Sequence, residues 1–241
     1  MQPDATYLLE KMGLERPLIG FYDAPETGPF EPLVEPKPGT QVCTFAYSRQ
    51  WLRGKTLHLT KETFGCHGAG YWLCGVEGRS REELVSFLVD EEGLKASHAL
   101  MNRWLDHCQG YKQEYPHLLI GPLRADQYRY LRSVTFLVTP DQLGLLMIGA
   151  QYYRVPEDPP PVIAPFGSGC SQLIALFDDL NVPQAAIGAT DIAMRRYLEP
   201  DLLAFTVTRP MYEQLCGLGE ESFLSKPFWK DLRTARGFKD G

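Results

Sequence analysis

Residues 133–153 read SVTFLVTPDQLGLLMIGAQYY, and this stretch decides the class of fold. SVTFLV (133–138) is apolar, rich in β-branched and aromatic residues, and of strand length. Thr139, Pro140, Asp141 and Gln142 then start a helix. Threonine accepts from the free N–H groups of the first turn, and proline suits the first helical position. Gln142 can complete a capping box. A strand running straight into a capped helix points to an α/β or α+β chain. The same device recurs at LHLTKETF (57–64) and at FTVTRPMYEQL (205–215).

Working outward, residues 4–13 read as a short helix and LIGFYD (18–23) as a buried strand. A loop with prolines at 25, 29, 32, 36 and 38 comes next, where regular structure is disfavoured. Val42, Phe45, Ala46, Trp51 and Leu52 fall at helical spacing over 41–52. Ser80 and Glu83 make a second capping box, ahead of an amphipathic helix of about 10 residues. A further helix is expected over 95–107, and LLIGPLRA (118–125) reads as a strand. A second proline-rich loop (156, 159, 160, 161, 165) precedes a helix expected from Gly169 to about Leu180. Strands AAIGA (185–189) and LLAFTVT (202–208), a helix from Pro210 to Leu215 and a last helix over 221–235 complete the pattern. The expectation is a mixed sheet with flanking helices in a single globular unit, 1–241.

Two stretches resemble one another. In each, a strand leads into a five-proline loop, then P-x4-C, then a helix: PGTQVC (38–43) and PFGSGC (165–170). The pattern suggests two pseudo-duplicated halves, 15–110 and 118–220, with Cys43 and Cys170 related by a pseudo-twofold. The irregular spacing excludes a solenoid.

Twenty-four Lys and Arg stand against 30 Asp and Glu, a formal net charge of −6. That disfavours nucleic acid, which needs a basic face. Lys226, Lys230, Arg233, Arg236 and Lys239 gather in the tail, diluted by Asp231 and Asp240, and read as a solvated helix face. No apolar run approaches the ~18–20 residues that cross a bilayer, so no membrane association is expected. The first residues lack the basic and apolar regions of a signal peptide. A cytoplasmic, reducing location is expected, in which the six cysteines are thiols or ligands and not disulfides.

Three cysteines carry candidate chemistry. Cys43 lies near the start of a helix, Cys170 where a glycine-rich loop turns into one, and Cys66 within GCHGAGYWLCG (65–75). The positive end of a helix favours a thiolate. Three converging thiolates suit an iron–sulfur cluster with an open coordination position, or zinc. His67 would be a fourth ligand or proton donor. The chain has no C-x-x-C. Cys74, Cys108 and Cys216 sit among apolar neighbours and read as core.

Other candidates are less specific. GCHGAG is not a dinucleotide fingerprint, because it comes after a short helix and opens no long one. Gly68 and Gly169 allow close backbone approach, and GSGC can hold an anion through backbone N–H groups. Asp191 and Arg195 are four apart, the spacing of a helical ion pair, or of an arginine held to bind a carboxylate or phosphate. His58, His98, His107 and His117 show no ligand spacing.

The ordered motifs QVCTFAYSRQ, LHLTKETFGCHGAGYWLCG, GPLRADQY, FLVTPDQLGLLMIGAQYY, PFGSGCSQL and IGATDIAMRRYLEPDLLAFTVTRPMYEQL carry a family resemblance. The chain resembles, from about Leu18 to Leu215, the bacterial and archaeal family catalogued as domain of unknown function 169. The resemblance implies a single α/β unit with no assigned reaction. It marks Cys43, Cys66, Gly68, Pro122, Pro140, Gln142, Cys170, Asp191 and Arg195 as recurring positions. His67 and Ala69 stand where family members are expected to have proline and glycine, which weighs against a role for His67.

Three functions are thus expected in competition. The first is a metal or iron–sulfur protein held by Cys43, Cys66 and Cys170, with His67, Gly68, Gly169, Asp191 and Arg195 on the side of a small anionic substrate. The second is a non-catalytic domain binding a small molecule or partner between the halves, lined by Tyr71, Trp72, Tyr152 and Tyr153. The third is a thiol-dependent transferase with Cys170 as nucleophile and His67 as base.

Overall fold

The structure is a computed structural model that describes residues 2–37, 43–60, 80–107, 111–164, 166, 169–174, 177 and 179–237. Cys66, His67, Gly68, Tyr71, Trp72, Cys74 and Cys108, and the helix expected after Thr60, lie outside the described residues.

The capped strand–helix unit forms as its residues dictate. Strand β5 (Leu131–Val138) runs into helix α5 (Pro140–Gln151). The Gln142 amide N–H donates to Thr139 Oγ1 at 3.4 Å, and the Thr139 N–H donates to Gln142 Oε1 at 3.1 Å. Gln142 also donates through Nε2 to the carbonyls of Met12 and Gly13 at 3.3 and 3.1 Å, fastening the end of α1 (Thr6–Met12). The second capping box forms too, with Glu83 N donating to Ser80 Oγ at 3.0 Å. It opens α3 (Arg81–Ser86), which continues as a π-helical turn over Phe87–Glu91.

Among the described residues, eight strands make one sheet. Besides β5 they are β1 (Ile19–Ala24), β2 (Leu33–Val34), β3 (Thr56–Leu59), β4 (His117–Pro122), β6 (Val162–Ile163), β7 (Ala185–Gly188) and β8 (Leu203–Thr208). Their order is β2-β3-β4-β1-β5-β8-β7-β6. From the antiparallel β1–β5 seam, where Gly20 faces Val134, the order reads the same in both directions. On one side it is β1-β4-β3-β2 and on the other β5-β8-β7-β6. Inner pairs are antiparallel on both sides, and each outermost pair is parallel. Strand β4 (His117–Pro122) thus lies beside β1, within the first set of this order. In this order β3 corresponds to β7, whereas the motif comparison set LHLT beside FTVT of β8.

The sheet is covered on both faces. Tyr22, Leu119, Val134, Phe136, Phe205 and Val207 pack beneath α1, α5 and α7 (Arg209–Cys216). A methyl at Gly20 would sit 2.5 Å from the Tyr22 ring, so glycine is required there. Phe21, Leu57, Leu118, Ile120, Leu137 and Ala204 face the second layer. That layer holds α2 (Ser48–Trp51), α3, α4 (His98–His107) and α6 (Ile192–Arg195). Each buried Leu, Ile, Val or Phe among them contributes ~1.5–3 kcal/mol. Helix α8 (Pro227–Ala235) comes after a 3-10 turn at Phe223–Ser225.

Two expected helices are tighter than their spacing suggests. The 41–52 segment is a 3-10 turn over Thr44–Tyr47 followed by α2. The segment after Gly169 is a 3-10 turn ending at Leu173. There Ser133 Oγ donates to the Leu173 carbonyl at 2.5 Å, taking an acceptor that a longer helix would use.

Candidate functional site

Cys43 and Cys170 occupy matching places in the repeated strand order. Cys43 caps the 3-10 turn between β2 and β3, with its carbonyl accepting from Ala46 N at 2.9 Å. Cys170 lies in the 3-10 turn between β6 and β7. The two turns touch. Both thiols belong to the cluster on the same face of the sheet. Cys43 is half-buried and Cys170 is 2% exposed.

The surroundings knit these turns to the loop after β7. Gln172, fully buried, accepts through Oε1 from Ala189 N at 2.8 Å and donates through Nε2 to Thr190 Oγ1 at 2.9 Å. Ser48 Oγ, beside the Cys43 turn, donates to the Tyr197 carbonyl at 2.9 Å. Phe166, in the P-x4-C approach to Cys170, packs edge-on against Trp104 at 5.1 Å with Lys95 Nζ 3.9 Å from its centroid.

Asp191 caps α6, accepting from Ala193 N at 2.9 Å. The Arg195 guanidinium donates to the carbonyls of Pro200 at 2.6 Å, Ala189 and Glu199 at 3.4 Å, and Leu202. Its donors hold the loop that carries Asp191 in place. Ala189, buried at φ 61°, is strained for a residue with a side chain. The Gln172 and Arg195 contacts keep it there.

Glu92, which comes directly after the π-helical turn, was not singled out in the sequence. Its carboxyl is pushed up to about 7 by burial, with the negative charges of Asp191 and Glu91 adding to the effect. The acidic run Asp90-Glu91-Glu92 was visible, but nothing in it separated a half-buried carboxylate from a solvated one. Thr44 Oγ1 and Trp51 Nε1, both buried, have no hydrogen-bond partner among the described residues.

Among the described residues, no group of three His, Cys, Asp or Glu side chains could by itself hold a metal ion. The 3-10 turn that Cys43 caps touches the one that carries Cys170. Cys216 stands apart: burial pushes its thiol up to about 12, which suits the core role expected of it. Tyr152 and Tyr153 lie on the far face of the sheet, packed edge-on against each other at 5.0 Å, with Tyr152 also against Phe223.

On that far face is a second polar chain that spacing did not reveal. His58 Nδ1 lies 2.6 Å from Glu35 Oε1, and His58 Nε2 lies 3.1 Å from His117 Nδ1. Strand pairing brings the two imidazoles together across β3 and β4. Elsewhere, Asp23 of β1 is fully buried, and accepts from Tyr111 OH, Glu114 N and Tyr115 N at 2.6, 2.7 and 2.8 Å.

This geometry defines an α/β protein with a mirrored eight-stranded sheet and a pair of thiol-bearing turns over one face. The chain belongs to the uncharacterised ArCR family, domain of unknown function 169, whose profile matches residues 7–217. No curated protein and no solved structure matches it. No described helix is long and apolar enough to cross a membrane.

Proposed function

We propose that the face bearing Cys43 and Cys170 is a cysteine-ligated metal centre, an iron–sulfur cluster or zinc, acting on a small anionic substrate. The observation that carries this reading is the contact between two thiol-bearing 3-10 turns at matching places in the strand order. The same order supports a duplicated ancestry for the two sets of strands. Cys66 supplies the third thiolate. The metal supplies positive charge and an open coordination position. Glu92, its carboxyl raised to about 7 first by burial and then by the charges of Asp191 and Glu91, serves as the proton donor to the substrate. Gly68 and Gly169 let the substrate approach the backbone. Arg195 serves by fixing the Asp191 loop.

Anaerobic purification followed by visible absorbance and metal analysis tests this. Bound metal in the wild-type chain is expected, with loss in Cys43→Ser and Cys170→Ser. A colourless, metal-free anaerobic sample, with both cysteines dispensable, sinks the reading. The burial of Cys170 speaks against the competing thiol transferase, whose nucleophile must be reached by substrate. The buried Thr44 and Trp51 groups, without a partner among the described residues, favour a second reading, a non-catalytic small-molecule site at the same place. In that case a ligand found by thermal shift stays bound to Cys43→Ser.

A further inference from the structure

The 3-10 turn that carries Cys170 is fastened at two points. Ser133 Oγ of β5 donates to the Leu173 carbonyl at 2.5 Å, which ties the turn to the centre of the sheet. Gln172, 1% exposed, reaches the other way, to the loop after β7. Its Oε1 accepts from Ala189 N at 2.8 Å, and its Nε2 donates to Thr190 Oγ1 at 2.9 Å. Gly188 leaves room for this side chain: a Cβ there would stand 3.0 Å from Gln172 Oε1 and 3.2 Å from Gln172 Cβ.

Ala189 has φ 61°, a conformation that glycine adopts freely and alanine does not. For a residue with a side chain it persists only where the surroundings over-determine it. Two groups do so here, Gln172 on the amide and Arg195 on the carbonyl. The pose of Thr190 and Asp191 is thus conditional on both, where glycine at 189 would make it unconditional. Asp191 in turn starts α6, accepting from Ala193 N through Oδ1 and from Arg195 N through its carbonyl at 3.2 Å. Its charge also acts on Glu92.

We propose that Gln172 is a positioning residue of the candidate site, coupling the Cys170 turn to the Asp191 loop by holding Ala189 in its left-handed conformation. For its purpose this rests on the metal-centre reading, in which an ion held at Cys170 fixes the turn and so fixes Asp191. The coupling itself belongs to the chain without metal, and it runs both ways. Loosening Ala189 from the Arg195 side therefore loosens the Cys170 turn.

Two rates on the full chain, kept metal-free with a chelator, test this: hydrogen exchange over residues 190–198 and alkylation of Cys170 by iodoacetamide, both read by mass spectrometry. Gln172→Ala is expected to speed exchange about tenfold, the scale of one strained residue, and to speed the alkylation. Adding Ala189→Gly to that variant is expected to return both rates to within about twofold of wild type, because glycine needs no support at this φ. A Gln172 that merely filled space would gain nothing from glycine at 189. Arg195→Met, whose lost hydrogen bonds end at residues 189 and 199–202, is expected to speed alkylation of Cys170 as well. Where Gln172→Ala does not fold, Arg195→Met with and without Ala189→Gly carries the same comparison. Wild-type rates in Gln172→Ala, fast rates that Ala189→Gly does not slow, or wild-type alkylation in Arg195→Met each overturn the proposal. A chain that never binds metal sinks the metal centre but leaves these rates as they are, so the two failures are told apart.

Discussion

Glu92 is a single residue whose environment makes a pH-dependent demand on the whole fold. Its carboxyl is raised to about 7, chiefly by burial. In the unfolded chain it ionises near the ordinary glutamate value, so from there up to about 7 the unfolded state gains ionisation that the folded state lacks. The fold accordingly loses stability over that window as pH rises. Glu92→Gln is expected to unfold at a higher temperature than wild type at pH 8 and at the same temperature at pH 4. Equal midpoints at both pH values would show that the site does not hold the proton. His117 works in the opposite sense. Burial lowers its pKa, with His58 adding to the effect. Below its ordinary range the unfolded chain takes up a proton that the folded one resists, so stability falls with falling pH. His117→Gln should flatten the decline between pH 6.5 and pH 5, read as the urea midpoint at each pH. Neither residue announced itself in the sequence. Burial and strand pairing, which no local pattern encodes, single them out.

At the scale of elements, local chemistry was legible wherever it closed on itself within a few residues. Thr139 with Gln142 and Ser80 with Glu83 both form the capping boxes that their spacing implies. Thr139→Ala should cost about 1 kcal/mol, seen as a fall of ~2–4 °C in melting temperature for a chain of this size. A shift under half a degree would mean that the box is dispensable once Gln142 holds α1. Elements fixed by distant partners were not legible. Strands β2 and β6 have two residues each and sit beside prolines, so only pairing with β3 and β7 defines them. The helix expected beyond Gly169 stops at Leu173, whose carbonyl is taken by Ser133, 40 residues away in sequence. Cys43 and Cys170 were chosen for their matching approaches, and the sheet does bring their turns together. Arg195 was chosen for its four-residue spacing from Asp191; that its guanidinium donates to carbonyls of its own loop is set by residues at 189 and 199–202, which the spacing does not reveal.

The whole molecule is organised by one continuous sheet, and its two sets of strands share the β1–β5 pair. Cooperativity should extend across that pair. Heat or urea is expected to unfold both sets in a single transition, with far-ultraviolet circular dichroism and tryptophan fluorescence coinciding. Trp51 and Trp104 report on one face and Trp229 on the other. Two separated transitions would show that the sets fold as independent bodies. The sequence suggested two matching proline-rich approaches to cysteine, and the strand order sets both between corresponding strands. It did not convey that β4 pairs with β1, because β4 comes only after α3 and α4.

The central seam has a consequence for what a shorter chain can do. A polypeptide ending after β4 would have β1 as a naked sheet edge, six residues long and buried throughout in the intact protein. Such an edge seeks another strand. Because the order is the same on either side of the seam, another copy of the short chain could supply that strand in the place of β5.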